Sequence, residues 1–320
     1  MTTKNCQSLN SVGFYLSLSD WPFIVASISA LLATIIAFTA ITLHVFHLSA
    51  PHQQIHIICI ILMVPVYQIL SWSAFSIAEG HRAENIIMIR DSYDAIIIFA
   101  FHQLLLAYIG PTAAVVSARF KELPPMELKF LFKSFTIYPS SPGYLTIANF
   151  LVLQFVFLKL GMTFVNLVLQ VGLDNCSDVT NLKYGNTWYI ANQFVSLPTA
   201  IAGIAALYQP VCDDMAQHKA IQKFIAVKGV IFFGFIQDIV LLVLAKDGKI
   251  PMESNGIWTL TRIEAFATCL EVLVLSVLLT VYFSHSEYCL DEQVESGIET
   301  IGDNISAIQS PKQTFWFLQE

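Results

Sequence analysis

Charge is what this sequence has least of: among 320 residues only 12% are Asp, Glu, Lys or Arg, about half the share in a soluble globular domain. That shortage excludes an ordinary water-soluble fold. Basic residues are scarcer than acidic ones, 16 Lys and Arg against 23 Asp and Glu, so no nucleic acid partner is expected. The six cysteines (Cys6, Cys59, Cys176, Cys212, Cys269 and Cys289) form no CxxC pair and no metal-ligand spacing with histidine, so neither zinc nor a disulfide framework is indicated. There is no Walker loop, GxGxxG, HExxH or GxSxG motif, and neither catalysis nor a cofactor is expected. The first twenty residues hold one Lys and no apolar core, and the apolar run that follows is too long for a signal peptide.

What is present is apolar length: 56% of the chain is hydrophobic and 24 residues are Phe. About 20 apolar residues make a helix that crosses the hydrocarbon core. Residues 22–43 and 57–78 satisfy this, the second with Pro65 at its centre. The third span is expected over 95–118, broken by Gly110-Pro111, with Asp91 as its cap and Asp94 in its first turn. Residues 143–173 would make a helix about 46 Å long, so part of it is expected to tilt, kink or lie along the interface. Residues 187–211, 229–245 and 257–283 complete the set. The fold class is therefore an all-α membrane protein with seven transmembrane helices. An N-terminal segment, 1–21, precedes the spanning domain 22–283, and an acidic tail, 284–320, follows it.

Lys and Arg near span ends set orientation. Arg119, Lys121, Lys129 and Lys133 follow span three and Lys219, Lys223 and Lys228 follow span five, against Arg82, Arg90, Lys183, Lys246 and Lys249 on the other side. This bias places the N-terminus outside and the tail in the cytoplasm. Asn175-Cys176-Ser177, a glycosylation sequon, then falls outside, as do Cys6 and Cys176, whose pairing the sequence leaves open, while Asn304-Ile305-Ser306 falls inside. No repeat is visible, which disfavours the inverted-repeat transporter plan.

Ionisable residues within spans face a bundle interior and are functional candidates by default. Here they are Lys159 in span four, Asp238 beside Gln237 in span six, and Glu264 and Glu271 in span seven, with Lys228 opening span six. Glu264 and Glu271 are seven positions apart, on nearly one helix face and about 10 Å apart along it. They are expected to form an acidic stripe facing the basic residues of spans four and six, Glu271 being the deeper. The bland alternative pairs each Glu with Lys159, Lys228 or Arg262 as structural glue, and lets Lys159 snorkel to an interface. Arg90 and Asp94, four apart, are expected to pair locally. His44, His47, His52 and His56 are expected to be interfacial and not metal ligands, since no carboxylate joins them.

Four stretches, in order, resemble the organic solute transporter alpha-subunit family and its related seven-span proteins. They are MVPVY (63–67) followed by Ser71-Trp72; RDSYDA (90–95) continuing to Tyr108-Ile109-Gly110; Leu153-Gln154-Phe155 followed by Lys159; and KFIAVKGVIFFGFIQ (223–237). Glu271 and Tyr288 also fall in register with that family. Cys59 stands where the family commonly has an Arg, Asp238 where it has a small or apolar residue, and the transporter branch's cysteine-rich stretch after span three is absent.

The resemblance implies a seven-helix protein of the bilayer that carries amphipathic organic anions such as sterol or steroid conjugates. In the transporter branch it also implies a single-span beta-type subunit as partner. The expected reading is facilitated transport, with Glu271, Lys228, Gln237, Lys159, Gln154, Asp94 and Glu264 along the substrate pathway. A non-transporting seven-span receptor or membrane scaffold is the alternative.

Overall fold

The computed structural model describes residues 20–77, 80–130, 133–172, 185–213, 215, 219–248 and 260–288. Some side chains within its helices, those of Lys228 and Asp238 among them, fall outside the described set. So do Cys6, Cys176, both sequons and the acidic tail beyond residue 288.

The chain is a helical bundle. Helix α1 spans Trp21–Phe46, α2 Pro51–Ile61, α3 Met63–Ser76, α4 Gly80–Ile109 and α5 Ala113–Lys121. A short antiparallel hairpin follows, β1 Met126–Phe130 paired with β2 Lys133–Ile137. Then come α6 Tyr144–Gly172, α7 Gly185–Tyr208, α8 Ala220–Lys246 and α9 Leu260–Tyr282. Six stretches are long and apolar enough to cross a membrane: Trp21–Phe46, Pro51–Ser76, Arg82–Ile109, Tyr144–Leu169, Ala191–Val211 and Leu260–Tyr288. The expected sixth span, 229–245, falls within α8, whose 27 residues extend about 40 Å.

Several boundaries differ from expectation. The second span begins at Pro51 and is interrupted at Leu62, between α2 and α3. Pro65 has no N–H to give the Ile61 carbonyl and its ring crowds that oxygen, so the break falls a few residues before the proline itself. The third begins at Gly80 and not at 95, which places Asp91 and Asp94 in the helix interior instead of at its cap and first turn. Their charge hid the helix from a reading by hydropathy. The fourth is one continuous helix of 29 residues.

Helix faces follow from composition. On α1, Ala26, Ser29, Ala33, Ala37, Ala40 and His44 recur at three- and four-residue steps and are buried, while Ile28, Leu31, Ile35 and Phe38 are exposed. Small side chains let helix backbones approach closely where apolar burial gives no drive between helices in lipid. On α6, Val152, Phe155, Lys159, Thr163 and Asn166 are buried, and Ile147, Phe150, Phe157 and Phe164 are exposed. A polar buried stripe backed by an apolar outer one is the inverse of a soluble helix. Gly203 of α7 is where α6 comes closest: an added Cβ would lie 2.8 Å from Leu151 Cβ and 2.9 Å from the Ala148 carbonyl oxygen.

Contacts tie both ends of the bundle. At one end, called lower here, His44 Nε2 lies 2.9 Å from the Phe283 carbonyl oxygen and Gln53 donates to the Ala107 carbonyl at 3.4 Å. At the upper end Arg262 donates to the Ile77 carbonyl at 3.3 Å, and the Trp21 and Phe266 rings meet edge to face, 6.3 Å apart.

Candidate functional site

Arg90, on α4, is the hub of the polar interior, and its residue is 5% exposed. Its Nε and Nη2 donate to Asp91 Oδ1 at 2.9 and 2.7 Å, and Nη2 also reaches Glu264 Oε1 at 2.8 Å. Nη1 donates to Ser71 Oγ at 3.3 Å and Thr268 Oγ1 at 3.2 Å. A guanidinium has five N–H donors, and these five bonds use them all. Its carbon also stands 5.7 Å from the centre of the Tyr67 ring. The Tyr67 hydroxyl in turn donates to Asp94 Oδ1. One network therefore joins α3, α4 and α9.

Lys159 is the opposite case. Its residue is 1% exposed, yet its ammonium forms no hydrogen bond of good geometry and has the Tyr189 side chain as its polar neighbour. The charge lies 4.8 Å from the centre of the Tyr189 ring on α7 and feels the fields of Asp91 and Asp94. Both carboxylates are already engaged, by Arg90 and by Tyr67. Around it, Thr163 Oγ1 and Tyr189 OH are buried near the ammonium and each other, and Asn192 Nδ2 is buried without a hydrogen-bond partner. Lysine ammonium and amide nitrogen only donate. The niche between α6 and α7 thus holds an ammonium whose near neighbours include two hydroxyls, which can accept from it, and no carboxylate of their own.

Glu271 makes a separate contact. With its amide nitrogen turned toward the carboxylate, Gln237 donates to Glu271 Oε1 at 2.8 Å and Oε2 at 3.1 Å, tying α8 to α9. Gln154 clips α6 to α7, donating to the Ser196 carbonyl at 3.0 Å. At the lower end Lys223, fully buried, donates to Glu287 Oε2 at 2.7 Å and Tyr108 OH at 2.9 Å.

The expected pathway residues are therefore sorted rather than gathered. Asp94, Lys159 and Glu264 belong to one polar interior, Gln237 and Glu271 to a second contact, and Gln154 to a helix clip. Lys228 lies on α8, with its side chain outside the described residues. Glu264 and Glu271 do not act as one stripe: the first turns to α4 and the second to α8. The partner of Glu264 is Arg90 instead of Lys159, Lys228 or Arg262, and Arg90 pairs with Asp91 rather than with Asp94. Lys159 does not snorkel. Arg90 also leaves the tally of loop charges, because a buried ion pair is no orientation signal.

Arg90, Asp91, Tyr67, Tyr189 and Thr163 are the residues that hydropathy alone passed over. The RDSYDA stretch carried a signal, since Arg90 and Asp94 lie one helical turn apart on the face that includes Phe101 and Leu105. Among the described residues no His, Cys, Asp and Glu group could hold a metal ion.

Comparison with known proteins agrees with this architecture. The sequence profile described as "Organic solute transporter Ostalpha" matches residues 22–288. The chain is 24% identical over 278 residues to a transmembrane protein 184 homolog of Dictyostelium discoideum, covering 86% of this chain and 54% of that one. It is 21% identical over 305 residues to protein LAZ1 homolog 1 of Arabidopsis thaliana, covering 89% of this chain and 62% of that one. It thus spans little more than half the length of these relatives. No solved structure matches it. With a profile match that begins at the second residue of α1 and ends six residues past α9, this integral multi-pass membrane protein belongs to the organic solute transporter Ostalpha family.

Proposed function

We propose that the protein is a membrane carrier that moves an amphipathic organic solute, such as a sterol or steroid conjugate, down its gradient. The observation that carries this reading is the Lys159 ammonium, buried at 1% exposure with no well-formed hydrogen bond and only the Tyr189 side chain beside it. Burying an ammonium costs several kcal/mol even after relaxation. The Tyr189 face returns about 2 kcal/mol or somewhat more for a desolvated cation, less than the full cost. An acceptor brought by a solute, a sulfate or carboxylate oxygen, would complete the niche, with Tyr189, Thr163 and Asn192 as further contacts. The apolar body would lie against the Phe-rich walls. Seven spans, an outer N-terminus, glycosylation at Asn175 and a single-span beta-type partner belong to the same proposal.

A non-transporting scaffold is favoured by one observation, the saturation of Arg90, which marks that half of the network as structural. The two readings part in proteoliposomes loaded with labelled steroid sulfate, with and without a single-span partner. Flux is expected, reduced at least tenfold by Lys159→Met and partly kept by Lys159→Arg. Flux unchanged in Lys159→Met overturns the assigned role, and no flux from folded protein with its partner favours the scaffold.

A further inference from the structure

The buried stripe of α6 changes character at Lys159. Above it, toward the upper end, the stripe carries Thr163 and Asn166, 5% and 2% exposed; below it come Phe155, Val152 and Ala148, none more than 1% exposed. These positions recur at three- and four-residue steps and so share one face. Helix α4 runs beside α6 in the opposite direction, as two contacts fix: Asn166 Nδ2 meets Met88 Sδ at 3.5 Å, and Asn149 lies beside His102. Lys159 falls between these rungs, near Asp91 and Asp94. Above that level α4 carries Met88 and, three positions earlier, Asn85, whose Oδ1 is buried with no hydrogen-bond partner. Below it α4 carries Ile98 and Phe101, which join Val152 and Phe155 in one apolar cluster. The Phe101 ring extends that layer to Phe224 of α8, 5.4 Å away centre to centre.

We infer that water and small anions reach the Lys159 ammonium from the upper end alone, through the seam between α4 and α6, and that the Phe155 layer seals it from below. Buried polar groups short of protein partners are met by water, and a thioether is a weak acceptor for an amide N–H. The upper seam, with Asn85, Asn166 and Thr163, is therefore the side that water wets. The Phe155 layer is apolar and offers water no partner. Farther down, the close approach of Gly203 to Leu151 and to the Ala148 carbonyl leaves no space between α6 and α7. This route serves the anion site proposed above and rests on that reading; it adds the side from which the anion arrives and the layer that must part for it to leave.

The test uses the full chain in sealed vesicles and two membrane-impermeant methanethiosulfonates, an anionic sulfonatoethyl and a cationic trimethylammonioethyl reagent, with modification read peptide by peptide in the mass spectrometer. Native Cys212, half-buried just past α7 at the lower end, reports reagent on that side. In vesicles whose Cys212 stays unmodified, Thr163→Cys is expected to react, and at least tenfold faster with the anionic reagent than with the cationic one once each rate is divided by that of free cysteine. Adding Lys159→Met is expected to remove the charge preference and keep the reaction. Val152→Cys is expected to react at least a hundredfold more slowly from either side. If Thr163→Cys fails to fold, Asn166→Cys, one turn higher, takes its place. Thr163→Cys that is unreactive, or modified only where Cys212 is modified, overturns the route, as does Val152→Cys of equal reactivity. Reaction from the upper side without charge preference keeps the route and overturns the reading of Lys159 as an anion site, so the two failures are told apart.

Discussion

Arg90 of α4 and Glu264 of α9 meet at 2.8 Å inside the bundle, and the same guanidinium spends every donor on α3, α4 and α9. Lys159 of α6 is as deeply buried, and beside its ammonium stands the Tyr189 side chain in place of a carboxylate. Both are cations in an apolar medium, yet only the first is saturated. A saturated cation holds helices together; an unsaturated one is poised for a ligand.

Removing one partner of a buried ion pair strands the other charge, at about 3–5 kcal/mol. Glu264→Ala is therefore expected to lower the melting temperature of the purified protein sharply. Glu264→Gln, which keeps an acceptor for Arg90, should lower it less. Equal melting of Glu264→Ala and the unaltered protein would show that the pair is not structural.

At the lower end, Lys223 is wholly buried against Glu287. Lys223→Met should destabilise by roughly 3 kcal/mol, and combining it with Glu287→Gln should restore part of that loss. Denaturant titrations of the two single variants and the double variant measure the coupling; additive effects would exclude it.

The Gln237 to Glu271 contact joins α8 to α9. Polar contacts between membrane helices average about 0.6 kcal/mol in double-mutant cycles. Gln237→Leu and Glu271→Gln are expected to couple by about 1 kcal/mol in thermal stability. If Glu271 instead faces the solute alone, the cycle returns zero coupling and flux falls with Glu271→Gln but not with Gln237→Leu.

Gly203→Val forces a Cβ to within 2.8 Å of Leu151 and 2.9 Å of a backbone oxygen. Backbone cannot swing aside, so α6 and α7 must separate, at about 1–3 kcal/mol or more. Because Tyr189 and Asn192 ride on α7, the variant should also lose flux. A protein that melts and transports like the unaltered one would contradict the close approach.

Orientation has its own test. Asn175→Gln should abolish a glycosidase-sensitive mobility shift of the protein made in microsomes, while Asn304→Gln leaves it unchanged. The reverse result would place the N-terminus inside.

The apolar runs by themselves determined that this is a multi-pass helical membrane protein, because only helices and closed barrels satisfy their backbone in lipid and uninterrupted apolar runs of about 20 residues fit helices. They located the first, fourth and fifth described spans well, but put the third about eleven residues too late. The ends were blurred wherever charge entered a helix, as at Arg90, Asp91 and Asp94, since hydropathy averages over a window and reads a buried ion pair as loop. The sequence also singled out Lys159, Glu264 and Glu271 as out of place in hydrocarbon. What it did not contain was partnership. Side chains on different helices meet only through the crossing of those helices, so the pairing of Glu264 with Arg90, of Glu271 with Gln237, and the placing of Lys159 against Tyr189 were decided by tertiary structure alone.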